Sequence, residues 1–176
     1  MEAMSCWFER LEQEKAGLLS GISSWPEKLL RFRPGPAAWS TLDVLDHLVK
    51  VEKGFLSQVR SSLPEQHAVS IPGRLRAMMV NAVMRSSLRV KVPAGAEVVL
   101  PDNSADFHTI VAGWDETRRD LGDLVRTLKP DDLRRGAFRH PVSGWMAPPQ
   151  GMAFLSAHLR HHRYQLDRLK RATSRL

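Results

Sequence analysis

Apolar and polar positions divide the chain into four long helical stretches joined by proline- and glycine-rich connectors. From about Ser5 to Ser23, Trp7, Leu11, Leu18 and Ile22 recur at three- and four-residue steps or their sums, the period of one helix face. Gly17 and Gly21 weaken the end of this helix. The next segment, SWPEKLLRFRPGPAAW, holds Pro26, Pro34 and Pro36 and reads as a connector with one short turn at Glu27–Leu30. A second helix starts after Ser40, which can cap it, with Asp43 three residues on as in a capping box. It runs to Pro64 with Val44, Leu48, Val51, Phe55 and Val59 as its apolar stripe. His47 borders that stripe, three residues after Val44 and four before Val51.

Residues Pro72–Val90 also read as helix, and their methionines are expected to fill core. Lys91–Asn103 reads as a loop. A third main helix is predicted from about Ser104, its N-cap, to Leu128. It carries Ile110, Val111, Trp114, Leu121, Leu124, Val125 and Leu128, and Pro130 ends it before a short turn at Asp131–Leu133. GAFRHPVSGWMAPPQ reads as loop. The fourth main helix spans about Pro149 to Arg171, with Phe154, Leu155, His158, Leu159, His162, Leu166 and Leu169 on a broad face. No stretch alternates as a strand would. The prediction is an all-α fold, a four-helix bundle with one or two accessory helices, as a single domain over 1–176.

Composition narrows the function classes. Cys6 is the one cysteine, so an internal disulfide and a cysteine-based metal cluster are both excluded. It reads as a small buried apolar residue, in keeping with a reducing compartment. No apolar run reaches the roughly 18–20 residues of a membrane span. The start, MEAMSCWFERLEQEK, alternates apolar with charged residues, unlike a signal peptide. A cytoplasmic protein with no membrane partner is expected. The net charge of +7 permits a nucleic-acid partner. Much of the excess, however, sits at the end of the last helix, where the macrodipole favours cations anyway. These cations are spread around the helix and no recognition motif is present, so a basic protein without a nucleic-acid role is the preferred reading.

The segment HLRHH holds the candidate chemistry. His158 and His162 stand four apart on one helix face and can point at one ion. Two imidazoles leave a divalent metal short of donors, and His47, beside its own core-facing stripe, qualifies as a third. His161 is rotated about 100° from His162 and is expected at the solvent or bundle edge. Spacing alone favours the plainer reading, in which each histidine fills core or caps with a satisfied hydrogen bond. No glutamate follows His158, so the zincin motif is absent.

Two longer segments add to this. AAWSTLDVLDHLVKVEKGF resembles the first signature of the DinB-like/YfiT-like superfamily. HPVSGWMAPPQGMAFLSAHLRHHRYQLDRL is similar to its C-terminal signature, through His140-Pro141, Gly144, His158, His162, Gln165 and Arg168. The resemblance covers nearly the whole chain. It implies a four-helix bundle whose metal ligands are His47, His158 and His162. Asp43 and Asp46 depart from the glutamates frequent in relatives, and the Pro72–Val90 segment is extra and able to cover the mouth of a site.

The resemblance further implies a metal-dependent hydrolase or thiol-dependent transferase acting on a small molecule, the latter with a low-molecular-weight thiol, and a homodimer. Three neutral imidazoles suit zinc or nickel and leave a position open for water or a thiol. A non-catalytic metal-stabilised dimeric bundle and a basic nucleic-acid-binding module stay open as alternatives. No catalytic residue is assigned. Asp43 is read first as the helix cap, with orientation of His47 as the other option. Gln165 either bonds the free nitrogen of His162 or is a surface amide. His108 and His140 are expected at the surface, Trp39 staples the helix entry, and Trp145 is a candidate for the flank of the site.

Overall fold

Side-chain caps set where the helices begin. In the computed structural model, which describes residues 2–65, 67–93, 95–102 and 106–173, Ser40 Oγ accepts the Asp43 amide at 3.2 Å, and an Asp43 carboxylate oxygen accepts the Ser40 amide at 2.7 Å. This reciprocal box starts α3, Thr41–Ser62. Arg33 pairs with Asp43 at 2.8 Å and ties the preceding connector to the same point. Asp43 therefore acts as the cap and as an ion-pair partner.

Before α3 come α1, Glu2–Ser20, and the single turn α2, Glu27–Leu30. After it come α4, Ile71–Met84, α5, Phe107–Thr127, and α6, Pro148–Thr173. The predicted cap Ser104 lies outside the described residues. Asp106 caps α5, its carboxylate accepting the Thr109 amide at 2.9 Å. The predicted turn after α5 is a 3-10 turn at Asp132–Arg134.

The long helices α1, α3, α5 and α6 form a four-helix bundle. α1 packs on α6 and α5, and α3 packs on the same two. Trp114, Leu11, Leu45, Leu48, Phe55, Leu121 and Leu155 fill its centre. A buried ion pair joins three of the helices. Arg118 of α5 grips Glu52 of α3 through Nε at 2.7 Å and Nη2 at 2.8 Å, while its Nη1 reaches Glu12 of α1 at 3.0 Å. The Trp114 indole donates to the same Glu52 carboxylate at 2.9 Å.

Four expectations need correction. The 136–150 stretch is not all loop: β1, Phe138–His140, pairs antiparallel with β2, Gly144–Met146, in the register His140↔Gly144. Strands of three residues are too short for alternation to register in the sequence. Gly144 takes φ +75°, which an L side chain rarely adopts, where the hairpin turns. The methionine helix stops at Met84, not Val90. Ser86 Oγ donates to Val83 O and accepts the Leu88 amide, so this side chain competes for the backbone groups that helix would need. Two of its three methionines do not fill core: Met78 and Met79 are each 68% exposed. The buried face of α4 is made by Gly73 and Ala77, with Val80 and Met84 partly buried beside them. Cys6, read as buried, is exposed.

Candidate metal centre

α3 and α6 run antiparallel and face each other. His47 lies near the start of α3, and His158 and His162 lie in the middle of α6. All three are buried. His47 Nε2 stands 3.2 Å from His158 Nε2, and His162 Nε2 stands 3.1 Å from the same atom. Each residue thus offers one ring nitrogen to a common point.

The outer nitrogens fix which tautomer faces inward. His47 Nδ1 lies 2.8 Å from the carbonyl of Val99. A carbonyl only accepts, so Nδ1 carries the proton and Nε2 presents a lone pair. His162 Nδ1 lies 2.9 Å from Gln165 Oε1, with the same consequence. Two inward lone pairs therefore meet His158 Nε2. That atom has at most one proton for both, so protein atoms alone leave the cluster one donor short. Burial pushes the pKa of each ring down, for His158 and His162 well below the usual range. Neighbouring imidazoles push the same way, while the bond to Val99 partly opposes the shift at His47. The rings are thus neutral near pH 7, the state in which imidazole binds metals.

The geometry suits a cation. At nitrogen–metal distances of about 2.0–2.1 Å, two corners of a tetrahedron lie roughly 3.3 Å apart. The two separations from His158 come within about 0.2 Å of that value, and all three ring nitrogens lie within 4.8 Å of one another.

A clamp from α3 holds the Val99 carbonyl. Val99 ends a 3-10 turn, Glu97–Val99, inside the stretch read from sequence as loop. Lys50, one turn after His47, donates to Leu100 O at 3.0 Å and pairs with Asp102 at 3.1 Å and Asp46 at 2.9 Å. The Asp102 amide donates to Asp46 at 3.3 Å. Sequence reasoning missed this support, because its key acceptor is a backbone carbonyl 52 residues from His47.

The other candidates divide. Trp39, read as a staple of the helix entry, is partly buried against the core and covers the cluster, its ring 4.9 Å from His47 and stacked at 6.2 Å on His162. Trp145 stacks instead on His67 at 3.6 Å. His108 is exposed, as expected. His161 and His140 are not at the surface. The α4 side of the molecule covers His161, which bonds the Ser86 backbone and leaves Nδ1 without a partner among the described residues. His140 faces inward from β1. Its Nδ1 accepts the amides of Val142 and Ser143 at 3.2 and 3.4 Å, and burial lowers its pKa to about 4. Its ring packs on Phe154, which stacks on His158. A separate groove between α3 and α5, lined by Lys53, Arg60, Glu116 and Asp120, contains none of these histidines.

Known proteins resemble this chain in sequence or in fold. The sequence profile of the DinB superfamily matches residues 10–166. YuaE of Bacillus subtilis (strain 168), an uncharacterized protein, is 22% identical over 174 residues, 96% of this chain and 98% of its own. Among solved structures, YfiT from Bacillus subtilis superposes with a TM-score of 0.67 at 18% identity. The match covers 97% of this chain and 87% of that one. YfiT is described as a probable metal-dependent hydrolase with an unusual four-helix bundle topology. The profile covers most of the chain, from the first bundle helix into the last, and on that ground the chain belongs to the DinB superfamily.

Proposed function

We propose that His47, His158 and His162 hold one divalent metal ion, zinc or nickel, and that residues 1–176 form one domain acting as a metal-dependent enzyme on a small molecule, by hydrolysis. The observation that carries this reading is the pair of inward lone pairs on His47 and His162, both fixed toward His158 Nε2. The description of YfiT supports the hydrolytic branch.

Each residue has a definite task. The Val99 carbonyl and the Gln165 amide hold the outer protons of His47 and His162, so their Nε2 atoms stay unprotonated and aimed. Burial keeps all three rings neutral, and the Trp39 ring shields one side from water. Bound there, an ion with three protein ligands keeps a position open and supplies Lewis acidity toward a substrate oxygen or an incoming nucleophile. Among the described residues, the grouping of potential ligands contains no carboxylate. The two buried acids of α3 are otherwise engaged, Asp43 by Ser40 and Arg33 and Glu52 by Arg118 and Trp114.

Elemental analysis of untagged protein after zinc or nickel supplementation tests the reading. About one equivalent is expected in the wild type and almost none in His158→Ala/His162→Ala. Metal content near zero in supplemented wild type would sink the proposal. Product analysis with and without a low-molecular-weight thiol then separates hydrolysis from thiol transfer.

A further inference from the structure

The outward face of α4 is apolar, and none of the described residues covers it. Ile71 is 75% exposed, Leu75 58%, and Met78 and Met79 68% each. At 100° per residue these side chains and exposed Ala82 fall in one arc, opposite the arc of Gly73, Ala77, Val80 and Met84 that packs inward. Singly exposed apolar residues are ordinary on a protein surface, but a continuous arc over the length of a helix is not.

The charges around the arc are of one sign. Arg74 and Arg85 border one edge, Arg76 borders the other, and all three are exposed. Arg89 and Lys91 follow, with exposed Leu88 and Val90 interleaved. Residues 71–96 hold these five cations and no carboxylate, in a chain whose net charge is +7. Arg168 of α6 adjoins the same side and donates to Ser87 O at 3.5 Å. Its pKa is pushed down by burial and then by the neighbouring positive charges of Arg89 and Arg171. Among the described residues, no acid within ion-pair distance neutralises Arg74, Arg76, Arg85, Arg89 or Arg171.

We propose that α4 docks the protein on an anionic phospholipid surface, its apolar arc entering the acyl boundary and its flanking arginines binding headgroup phosphates. An apolar centre with a cationic rim is the layout of a helix lying in a membrane interface. No described helix is long and apolar enough to cross a membrane, so the contact is peripheral. It revises the expectation of no membrane partner, which considered only a spanning segment. A second copy fits this face less well. It would bring five more cations and no acid to the same contact. A 14-residue helix is also only about 21 Å long, and pairing it with its twin falls well short of the roughly 800 Å² per partner of a stable interface. Nucleic acid would set phosphates against the apolar centre. The proposal is independent of the histidine cluster.

Co-sedimentation of the full-length protein with vesicles tests it. Binding is expected to vesicles that are one-third phosphatidylglycerol, to weaken as salt is raised, and to be far weaker on pure phosphatidylcholine. Met78→Glu/Met79→Glu changes two exposed side chains and is expected to cut binding by about tenfold or more, with unchanged circular dichroism. If that variant misfolds, Arg74→Gln/Arg85→Gln/Arg89→Gln serves instead and must reduce binding to the anionic vesicles. Absence of binding to anionic vesicles overturns the proposal, as does binding unchanged in the variants. So does a solution dimer that Met78→Glu/Met79→Glu dissociates, because the face would then join two copies.

Discussion

Gly151 of α6 lies directly against Phe55 of α3: a Cβ built on the glycine would sit 2.3 Å from Phe55 Cε2, far inside van der Waals contact. The helices are antiparallel, so the contact also sets the register of the histidines. His47 stands eight residues before Phe55, and His158 stands seven after Gly151, roughly 11–12 Å along each axis. Replacing Gly151 by Ala forces the helices apart at this point. The expected cost is about 1–3 kcal/mol, the range for overpacking. A thermal melt reads the stability, and a zinc titration should show weaker binding although no histidine has changed. An unaltered melting temperature would mean that Phe55 moves aside freely.

The Glu52–Arg118 pair gives a second expectation. Both side chains are 2% exposed, so each charge depends on the other. Glu52→Ala leaves Arg118 with the half-exposed Glu12 as its one carboxylate partner among the described residues and should cost about 3–5 kcal/mol. Glu52→Leu combined with Arg118→Met removes both charges and should recover most of that loss. Chemical denaturation of the two variants separates an uncompensated buried charge from lost packing.

The sequence was a good guide where its signals were local. Ser40 and Asp43 form the capping box that their spacing predicts, and Gln165 reaches the free nitrogen of His162 three residues away. His158 and His162 share a face because helix geometry requires it, whereas bringing His47 to them takes tertiary packing of α3 on α6. The misses share a cause of that kind. Periodicity places a residue on a face of its own helix but does not say what a later segment lays over that face. His161 reads as an edge residue, yet the chain at Ser86 covers it, and Met78 and Met79 read as core filler, yet the small residues Gly73 and Ala77, which give little apolar signal, form the inward face of α4. The Val99 carbonyl has no side-chain signature at all.

Burial of neutral His140 makes the metal-free protein sensitive to acid. Its folded pKa of about 4 lies below the model-peptide value of 6.5. Between these values the unfolded chain binds the extra proton and the folded one does not, so stability falls as pH drops from about 6.5 toward 4. The full contribution is on the order of 3 kcal/mol. His140→Asn keeps an acceptor near the position of Nδ1 for the Val142 and Ser143 amides and removes the titration. Melting temperatures of metal-free protein should fall less steeply over this window in the variant. Identical slopes would place the acid sensitivity in the other buried histidines.

Lys50 offers the sharpest test of the support around the proposed metal ligands, because it touches none of them. Its ammonium joins Leu100 O, Asp102 and Asp46, and so fixes the short segment whose Val99 carbonyl receives the His47 Nδ1 proton. Lys50→Met keeps the aliphatic stem and loses the ammonium. The segment should loosen, and His47 should lose its preferred tautomer and aim. Removal of such indirect support typically weakens metal affinity by about 10–100-fold. Lys50 is partly exposed, so stability should change little. Competition titration with a chelator measures the affinity, and a melt of the metal-free protein controls for stability. Gln165→Leu removes the corresponding support of His162 and should act in the same direction. If both variants bound zinc as tightly as wild type, the outer hydrogen bonds would not be what aims the ring nitrogens, and packing from Trp39 and the helix register set by Gly151 would have to do so alone.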